Sequence, residues 1–561
     1  MGGAVARPHG PWPVGLPRHC SVPATGVADN LAVSARRYPH KVAVRFFGRD
    51  FTYAELNRRV DWLAAHLAGS CGVQRGDRVV LFLQNSPAFI VACYAVLRLG
   101  AVAVPVNPMN LAGELRWVVQ DSGARVAVVA QDLWERLSPL QSEGLLTAVM
   151  LARYGADLPT SPVPEPPDGL AAPRLPLDAP GRAWLEDIVA DAPAPQPACM
   201  AAADVGGEDL AVLAYTSGTT GQPKGCMLSH RALQAAAACL VAWNRWTPDA
   251  VALATAPFFH VTGMVASMHV PLYCGASIVL LPRWDRGAAA ELIGRHQVTH
   301  WTNVPTMVTD LLALPGLQAG ALQSLAYTGG GGTAMPAAVA ARLHTLTGLE
   351  YQEGWGLTEV AGAIHLNPPG AERRQCLGVP TFGVDTRVIA TDGPAVELPP
   401  GEHGELVTDC PSLFSGYWRN PEATAQAFVE LDGRRFFRTG DIGRVDADGY
   451  FHLADRLKRM INASGYKVWP AEVEAMLFRH PAVQEACVVG APDAHRGETV
   501  KAFIVLRQGL ADAPAAAEIS DWAREHMAAY KVPRIVEFVA ALPKSGTGKV
   551  LWRQLQDAER G

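Results

Sequence analysis

The sequence predicts an α/β protein that has a large N-terminal domain of stacked α/β sheets with helices and a small α+β C-terminal domain. The chain has 561 residues, about three times the usual length of one domain. Between residues 42 and 129, short apolar runs alternate with longer helical patterns, as in parallel sheets with crossover helices. A charged segment at residues 455–459 precedes a compact stretch that mixes both types of element. These observations predict two domains of unequal size.

The first predicted elements follow an irregular leader at residues 1–27, which is rich in proline and glycine. A helix at 31–38 and a strand at 42–47 come next. Thr52 and Glu55 then form the T-x-x-E capping box that is typical of a helix start. The alternation predicts five further elements: strand 78–83, helix 86–99, strand 102–106, helix 112–122 and strand 124–129.

The remaining sequence contains an insert and a domain boundary. Residues 155–205 are rich in proline, alanine and aspartate and are predicted to be a surface excursion that carries no chemistry. Ordered α/β sequence resumes at Leu210, so the N-terminal domain is assigned to residues 28–454. Residues 455–458 lack strand periodicity and are assigned to a hinge. The C-terminal domain, residues 459–561, is predicted to contain helix 471–479, strand 483–490, strand 500–506 and helix 518–526.

The composition excludes several classes of protein. Apolar residues make up 49% of the chain, ample for a large core, and the formal net charge is -5. Because no broad basic surface is expected, nucleic acid is excluded as a partner. The ten cysteines are scattered and form no C-x-x-C pair, which argues against a zinc site and a disulfide scaffold. The N-terminus lacks the apolar core of a secretory signal, and no apolar run reaches the roughly 20 residues that span a bilayer. We therefore expect a cytoplasmic protein without a transmembrane segment.

The most informative segment is a glycine- and hydroxyl-rich loop within residues 213–225. It contains three glycines, four hydroxyl residues and one lysine, Lys224. Glycines let backbone N–H groups converge on an anion, while hydroxyls add donors and the lysine adds positive charge. The pattern departs from G-x-x-x-x-G-K-[ST], so it is not that of a P-loop NTPase. Since a purely structural loop would not need this combination, the segment predicts a phosphate-binding site.

On these residues the chain resembles the superfamily of adenylate-forming enzymes, which includes acyl- and aryl-CoA synthetases, firefly luciferase and the adenylation domains of peptide synthetases. The resemblance extends from about residue 30 to residue 557, with the motifs in the family's order. It implies that ATP activates a carboxylic acid as an acyl-adenylate, which then passes to a thiol while a mobile C-terminal domain changes position. The residues that it assigns to the ATP phosphates are Thr216, Ser217, Gly218, Thr219, Thr220 and Lys224.

A second motif joins an aromatic residue to a Thr-Glu pair at residues 351–359. The Glu359 carboxylate is a hard ligand that suits Mg²⁺, and Thr358 can donate to the α-phosphate. The family usually has Tyr-Gly-x-Thr-Glu. Here Trp355 keeps an aromatic face for adenine or the acyl pocket but has no phenolic hydroxyl. The resemblance assigns Trp355 and Gly356 to the nucleotide site. A Thr-Glu pair alone would more often mark the start of a helix.

The resemblance also assigns residues to adenine, ribose and the mobile domain. Four consecutive glycines, including Gly330, Gly331 and Gly332, leave room for a flat base or an acyl chain beside the backbone. Asp441 matches a carboxylate that accepts both ribose hydroxyls. Further positions match the ribose contact Arg456, the hinge Lys458, the CoA tunnel residues Gly465 and Lys467, and the mobile catalytic Lys549. By composition alone, the segment around Lys458 would be a solvated linker.

The acid is predicted to be apolar. His260 stands where amino-acid-adenylating domains commonly carry an aspartate for the substrate amine, so an amino acid is disfavoured. The expected pocket wall is nearly all apolar, which favours a fatty, alicyclic or aryl acid; it comprises His260, Met264, Trp301, Val304, Met307, Gly330 and Trp355. The catalytic set implied by the resemblance is Lys549, Thr358, Glu359 and His260.

The sequence therefore predicts an AMP-forming acyl-CoA ligase that uses ATP, Mg²⁺ and coenzyme A. Its expected partners are a small carboxylic acid, ATP and CoA, and homodimer formation is left open. An adenylating enzyme that loads a carrier protein, or oxidises its adenylate, is the main alternative, although no carrier domain is attached. A binding protein without activity is disfavoured because Lys224, Glu359, Asp441 and Lys549 are all present.

Overall fold

The computed structural model describes residues 10–177, 180–190, 205–216, 223–332, 335–456, 459–463, 466–493, 497–507, 509–510, 512–544 and 550–560. They form two compact units. The large unit comprises Pro11–Asp385 and Asp409–Ala427, and the small unit consists mainly of Thr386–Thr408 and Phe428–Gly561. The predicted α/β class with two bodies is confirmed. The predicted boundary at residue 455 lies within the small unit and stays a prediction.

The large unit contains sixteen strands among its described residues. They are β1 (Val42–Phe46), β2 (Arg49–Thr52), β3 (Arg78–Phe82), β4 (Val102–Pro105), β5 (Val126–Ala130), β6 (Ala148–Ala152), β7 (Arg182–Trp184), β8 (Leu210–Thr216), β9 (Lys224–Ser229), β10 (Val251–Ala254), β11 (Ser277–Leu280), β12 (His300–Asn303), β13 (Tyr327–Gly330), β14 (Gln352–Leu357), β15 (Gly362–Leu366) and β16 (Val379–Pro380).

Helices connect most of these strands. In the described part of the large unit they are α1 (Ala28–Arg37), α2 (Tyr53–Gly69), α3 (Pro87–Arg98), α4 (Ala112–Ser122), α5 (Trp134–Ser142), α6 (Leu185–Ile188), α7 (His230–Trp243), α8 (Val270–Cys274), α9 (Arg286–His296), α10 (Pro305–Leu312), α11 (Ala337–Thr347) and α12 (Pro421–Gln426).

Two mostly parallel sheets organise the large unit. In one, the order is β7-β6-β5-β3-β4-β8-β9, and only β9 of these described strands pairs antiparallel, with β8. In the other, the order is β16-β15-β14-β13-β12-β10-β11-β1-β2, with antiparallel pairing confined to its two ends. Strands such as β5, whose five residues are all buried, read as continuous apolar runs because helices cover both faces of a parallel sheet.

Helix α3 shows how the core is closed. Every residue from Pro87 to Leu97 is buried, as expected for a helix that is apolar on all sides. The Ser86 hydroxyl caps its first turn by accepting a hydrogen bond from the Phe89 N–H at 3.2 Å. Pro87 occupies the first turn, where the missing N–H costs no helical hydrogen bond.

The small unit contains two five-stranded sheets among its described residues. Its elements are β17 (Asp385–Ile389), β18 (Gly404–Asp409), β19 (Phe428–Leu431), β20 (Arg434–Val445), β21 (Phe451–Arg456), β22 (Ile461–Ala463), β23 (Tyr466–Val468), α13 (Pro470–Leu477), β24 (Val483–Asp493), β25 (Gly497–Leu506), α14 (Ala516–His526), β26 (Ile535–Phe538) and α15 (Trp552–Arg560). The first sheet has the order β17-β18-β20-β19 with β21 beside β20, and the second has the order β23-β22-β25-β24 with β26 beside β25.

Most predicted elements occur within a few residues of their expected positions. The predicted cap at Thr52 is confirmed, since its side chain accepts a hydrogen bond from the Glu55 N–H at 3.1 Å. In the predicted leader, residues 10–27 form no helix or strand, but the Trp12 ring packs edge-on against Trp243 and Phe382, with centroids 5.2 Å away in each case. The described part of the leader is therefore attached to the large unit.

Two expectations need correction. The prediction that residues 455–459 lack strand structure is wrong at the start, because β21 continues through Arg456, and Asp455 pairs with Ile442 of β20. Pairing with a neighbouring strand overrides the charged pattern of the side chains. The proline-rich excursion also contributes regular structure, since β7 pairs in parallel with β6 and Trp184 is buried.

A helix with the length and apolarity needed to cross a membrane is absent from the described parts of the chain.

Candidate active site

The predicted phosphate loop connects β8 to β9. Thr216 ends β8 and lies opposite Lys224, which begins β9. The Thr216 hydroxyl donates to the Lys224 carbonyl oxygen at 3.4 Å, so the two ends of the loop are held together. The intervening predicted residues lie outside the described residues; they are Ser217, Gly218, Thr219 and Thr220.

Residues 414–418 pack along β9 through backbone hydrogen bonds. The Met227 N–H donates to the Gly416 carbonyl at 3.0 Å, and the Trp418 N–H donates to the Gly225 carbonyl at 2.8 Å. Cys226 and Tyr417 form an antiparallel bridge between these hydrogen bonds. The segment therefore places the Tyr417 side chain beside the start of β9.

The Thr-Glu motif forms a tight turn between β14 and β15. Thr358 begins a 3₁₀ turn that ends at Val360, and Ala361 has a left-handed φ of 53°. The Phe414 N–H donates to the Glu359 carbonyl at 2.7 Å. This hydrogen bond connects the turn to the segment that packs on β9, so the two predicted motifs lie close together.

Lys224 and Glu359 meet around the side chain of Tyr417. The Tyr417 hydroxyl donates to Glu359 Oε1 at 2.9 Å. Lys224 Nζ lies 5.1 Å from the centroid of the Tyr417 ring, within cation–π range. A cation, a phenol and a carboxylate are thus arranged side by side where the predicted phosphate loop begins and ends.

Burial keeps the groups next to Glu359 protonated. Burial raises the pKa of the Tyr417 hydroxyl, and the Glu359 charge raises it further. The pKa of the Cys226 thiol is also raised, first by burial and then by Glu359. Both groups are therefore neutral near pH 7, and the Tyr417 hydroxyl acts as a hydrogen-bond donor to the carboxylate.

These residues fit a magnesium ion that is shared with nucleotide phosphates. In the described residues, no cluster of three or more His, Cys, Asp or Glu side chains could hold a metal. Mg²⁺ in nucleotide sites is usually held by one or two carboxylates together with substrate phosphates and water. The Glu359 carboxylate next to a phosphate-loop lysine is a donor set of this kind.

The backbone is closely packed at the end of β13 and just after it, where glycines follow one another. A Cβ atom at Gly330 would lie 1.8 Å from the Asn303 carbonyl oxygen, and one at Gly331 would lie 2.3 Å from the Gly354 carbonyl oxygen. Gly332 has a φ of 94°. Neighbouring backbone thus accounts for Gly330 and Gly331, and a left-handed φ accounts for Gly332. Their predicted contact with adenine stays a prediction.

Trp355 lies on β14 opposite His365 of β15. The two rings pack edge to face with their centroids 4.9 Å apart, and Trp355 is buried. Burial lowers the pKa of His365 to about 3, so the imidazole next to the indole is neutral. This packing fixes the orientation of the indole, whose predicted role toward adenine or the acid stays untested.

Among the predicted acyl-pocket residues of the large unit, Met264 and Trp301 are buried, whereas His260 and Val304 are partly exposed. The Met264 N–H donates to the His260 carbonyl at 2.9 Å, and Met264 is buried. Trp301 is fully buried, and its indole N–H donates to the Thr255 hydroxyl at 3.0 Å. Val304 lies at the N-cap position of helix α10. Their role as a pocket wall stays a prediction.

In the small unit, two predicted ribose residues are neighbours. Asp441 of β20 lies directly opposite Arg456 of β21 in the antiparallel register. Asp441 is buried, and its N–H donates to the Thr439 hydroxyl at 3.0 Å. The backbone of Lys467 pairs with Asn462.

The side chains of Arg456 and Lys467 are not described. Lys458, Gly465 and Lys549 lie outside the described residues.

Two residues near the predicted motifs had no place in the sequence prediction. Tyr417 stands 58 positions after Glu359 in the chain, and no sequence motif contains both residues. Glu353 accepts hydrogen bonds from the Gln375 N–H at 2.6 Å and the Met335 N–H at 3.3 Å. Burial raises its pKa to about 7. The available indication for Glu353 was a glutamate two residues before Trp355, within β14.

The two-unit α/β fold and the Lys224–Tyr417–Glu359 arrangement define an enzyme that activates its substrate with a nucleotide. Comparisons with known proteins agree. The family model described as AMP-binding enzyme matches residues 31–418, and that of the AMP-binding enzyme C-terminal domain matches residues 472–549. The chain belongs to the AMP-binding enzyme family.

Its relatives are ligases that form CoA thioesters. The chain is 33% identical to a long-chain-fatty-acid–CoA ligase of Bacillus subtilis, over 98% of each chain. It is 37% identical to a feruloyl-CoA synthase of Amycolatopsis sp., over 92% of this chain and 96% of the relative. The crystal structure of the anthranilate CoA ligase AuaEII with anthranoyl-AMP superposes with a TM-score of 0.82 at 29% identity, covering 96% of this chain and 98% of the other. The protein is an AMP-forming acid–thiol ligase of the acyl-CoA synthetase type.

Proposed function

We propose that this enzyme joins an apolar carboxylic acid to coenzyme A in two steps. The observation that carries the proposal is the arrangement of Lys224, Tyr417 and Glu359 at the predicted phosphate loop. One positive and one negative group side by side at this loop support the binding of a nucleoside triphosphate and its metal. The names of the relatives support CoA as the acceptor, because those compared above are CoA ligases or synthases.

In the first step, a carboxylate oxygen of the acid attacks the α-phosphorus of ATP. The bond from this phosphorus to the bridging oxygen breaks, and pyrophosphate leaves. Lys224 and the hydroxyls of Thr216, Ser217, Thr219 and Thr220 are proposed to bind the β- and γ-phosphates. Mg²⁺ held by Glu359 would neutralise charge on the phosphates. Thr358 is proposed to donate to the α-phosphate.

Lys549 is proposed to stabilise the charge that develops in this step. An ammonium on a glycine-rich tether can approach both the carboxylate and the α-phosphate. Asp441 and Arg456 are proposed to hold the ribose. Trp355 is proposed to lie next to adenine, together with Gly330, Gly331 and Gly332.

In the second step, the sulfur of CoA attacks the carbonyl carbon of the acyl-adenylate. The bond between this carbon and the AMP oxygen breaks, AMP leaves, and the thiol proton passes to solvent. Gly465 and Lys467 are proposed to lie along the pantetheine path. Loading of a carrier protein is not favoured, because the names of the relatives specify CoA.

The acid is proposed to be a fatty or an aryl acid. One relative named above acts on long-chain fatty acids and another on ferulate. The buried side chains of Met264 and Trp301 are apolar, which suits either class. His260, at the position where amino-acid-adenylating domains commonly carry an aspartate, argues against an α-amino acid. A cytoplasmic location and a homodimer remain predictions.

Carboxylate-dependent exchange of pyrophosphate into ATP, followed by CoA consumption, tests the proposal. The panel should contain fatty acids of graded length, ferulate, benzoate, anthranilate and several amino acids. We expect exchange with at least one apolar acid, none with amino acids, and stoichiometric CoA consumption with the same acid. Exchange without CoA consumption would refute CoA as the acceptor, and exchange confined to amino acids would refute the apolar acid.

A further inference from the structure

We infer that Tyr417 is a positioning residue that orients the Glu359 carboxylate for Mg²⁺ and holds Lys224 toward the nucleotide phosphates. This inference rests on the proposed function for the identity of the nucleotide and the metal. It concerns a side chain outside the motifs that predict the site. Tyr417 touches two of the predicted functional groups, the Glu359 carboxylate through its hydroxyl and the Lys224 ammonium through its ring.

The phenol makes a different contact with each functional group. Its hydroxyl donates to Glu359 Oε1 at 2.9 Å, so one carboxylate oxygen is held in a fixed direction. Its ring face lies under Lys224 Nζ at 5.1 Å, which attracts the ammonium through the ring quadrupole. One rigid side chain therefore sets the separation of a cation and an anion that must both reach the same triphosphate.

Tyr417 itself is held from several sides. Its N–H donates to the Thr424 hydroxyl at 2.9 Å, its backbone bridges to Cys226, and its ring packs edge-on against Phe414 at 5.0 Å. Gly416 precedes it with a φ of 138°, in the region that favours glycine. These contacts leave the phenol little freedom, as a positioning residue requires.

The Glu359 turn and the segment that carries Tyr417 are also connected through their backbones. The Phe414 N–H donates to the Glu359 carbonyl at 2.7 Å, three residues before the phenol that binds the same glutamate. The hairpin β8–β9, the Thr-Glu turn and residues 414–418 are thereby connected through one glutamate and one tyrosine. A hydroxyl that donates to a metal-binding carboxylate is the usual way in which a protein orients such a ligand.

Tyr417→Phe separates the two contacts, because it removes the hydroxyl and keeps the ring. Partners behind metal ligands typically change metal affinity or activity by 10- to 100-fold when they are removed. We expect the Mg²⁺ concentration for half-maximal pyrophosphate exchange to rise about 10-fold, with kcat largely restored at saturating Mg²⁺. Tyr417→Leu should in addition raise the KM for ATP, since Lys224 loses the ring face.

Tyr215→Phe is the matched control. Tyr215 lies on β8, and its hydroxyl donates to Asp121 Oδ2 at 2.6 Å. The control therefore removes a tyrosine–carboxylate hydrogen bond from the neighbouring hairpin β8–β9 without touching Glu359. We expect its Mg²⁺ requirement to match that of the wild type.

Two further measurements distinguish positioning from general damage. Transfer of supplied acyl-AMP to CoA involves neither pyrophosphate nor the β- and γ-phosphates, so it should be unaffected in Tyr417→Phe. In a double-mutant cycle with Glu359→Asp, loss of the Tyr417 hydroxyl should have little further effect on the Mg²⁺ requirement, because the shortened carboxylate no longer meets it. Equal loss of both half-reactions, additive effects in the cycle, or an unchanged Mg²⁺ requirement in Tyr417→Phe would each overturn the inference.

Direct binding of ATP keeps the inference separate from the acid chemistry. Calorimetric titration of ATP at several Mg²⁺ concentrations needs no acid and no turnover. If the wild type binds Mg²⁺–ATP but exchanges no pyrophosphate with any acid, the proposed function fails alone. If Tyr417→Phe binds Mg²⁺–ATP as the wild type does, the positioning role fails, whatever the acid. If Tyr417→Phe does not fold, Glu359→Asp is compared with the wild type in its place. This variant should show the same rise in the Mg²⁺ requirement.

Discussion

Glu353 is a carboxyl group enclosed within the large unit, next to the glycine-rich strand β13. Its oxygens accept hydrogen bonds from the N–H groups of Gln375 and Met335. Burial nevertheless raises its pKa from 4.5 to about 7, because desolvation opposes the charged form more than two donors stabilise it. The group therefore titrates near neutral pH in the folded protein.

The shift at Glu353 predicts a pH-dependent stability. Between pH 4.5 and about 7 the unfolded glutamate has lost its proton while the folded one retains it. The folded state then binds more protons, so stability falls as pH rises through this window. A shift of this size corresponds to about 3 kcal/mol. Glu353→Gln mimics the protonated acid, and we expect its thermal midpoint to match the wild type at pH 5 and to exceed it at pH 8.

Glu350→Gln provides the control for this prediction. Glu350 is paired with Arg374, at 2.8 Å, and this hydrogen bond lowers its pKa. A lowered pKa gives stability that is present above the unfolded value and is lost only at acid pH. The control should therefore lack the gain over the wild type that is expected for Glu353→Gln as pH rises from 5 to 8. A Glu353→Gln profile that runs parallel to the wild type across this range would contradict the assignment.

Single residues differ in how far the sequence predicts their role. The Thr52 cap was predictable because the T-x-x-E pattern is local and its hydrogen bond spans three residues. Tyr417 was not, because its partner Glu359 is distant in the chain and meets it only after two segments pack on β9. Local patterns predict local bonds, whereas contacts between distant segments need the fold.

At the scale of elements, the hairpin β14–β15 positions the Thr-Glu turn through an exceptionally close backbone approach. A Cβ atom at Gly356 would lie 1.6 Å from the Gly362 carbonyl oxygen and 2.7 Å from the Ala363 Cα atom. The register shifts between Trp355 and Gly356, as at a β-bulge. Gly356 is thus required by the geometry of the turn that carries Glu359.

We expect Gly356→Ala to force the two strands apart. Overpacking of this kind usually costs about 1–3 kcal/mol, or more against backbone. The thermal midpoint should fall, and pyrophosphate exchange should fall further than the midpoint alone explains, because Glu359 is displaced. Differential scanning calorimetry together with exchange kinetics measures both effects.

Gly113→Ala is the matched substitution in open surroundings. Gly113 lies within α4, and a Cβ atom there meets nothing within 4 Å. Alanine is favoured over glycine in a helix by about 1 kcal/mol, so this variant should be as stable as the wild type or slightly more stable. If Gly356→Ala behaved like Gly113→Ala, the close approach in the hairpin would be disproved.

The sequence predicts elements well where burial dictates them. β3, β4 and β5 were predictable because parallel strands covered on both faces must be apolar throughout. The extension of β21 to Arg456 was not predictable, because its pairing with Asp441 depends on β20 and not on its own charged sequence. The same pairing brings two predicted ribose residues together, which their spacing in the chain could not indicate.

At the scale of the whole molecule, the chain combines a large unit that contains Lys224 and Glu359 with a small unit that contains Asp441 and ends beyond Lys549. The family match extends over both parts. The sequence predicts this division from a change in composition, although the compact units divide the chain earlier, near residue 385. The sequence assigns residues 386–408 to the N-terminal domain, whereas their strands pair in one sheet with β20, which follows later in the chain.

Lys549 allows a test of how the two reaction steps are divided over the chain. The resemblance assigns its ammonium to the charge that develops when the acid attacks the α-phosphate, and to no part of thiol transfer. Loss of one such preorganised contact typically lowers the rate by about 10²–10³-fold. We therefore expect Lys549→Ala to reduce pyrophosphate exchange by this amount and to leave CoA transfer from supplied acyl-AMP within about twofold of the wild type, since that step is not assigned to Lys549.

Lys544→Ala is the matched control, because Lys544 precedes Lys549 in the same segment and pairs with Glu485 at 2.8 Å. A half-exposed ion pair of this kind contributes about 0–1 kcal/mol to stability, so both half-reactions should proceed normally in the control. Equal loss of the two half-reactions in Lys549→Ala would show that one lysine serves both steps and would refute the division of labour. Loss in Lys544→Ala as well would show that the segment matters as a whole and not through the ammonium of Lys549.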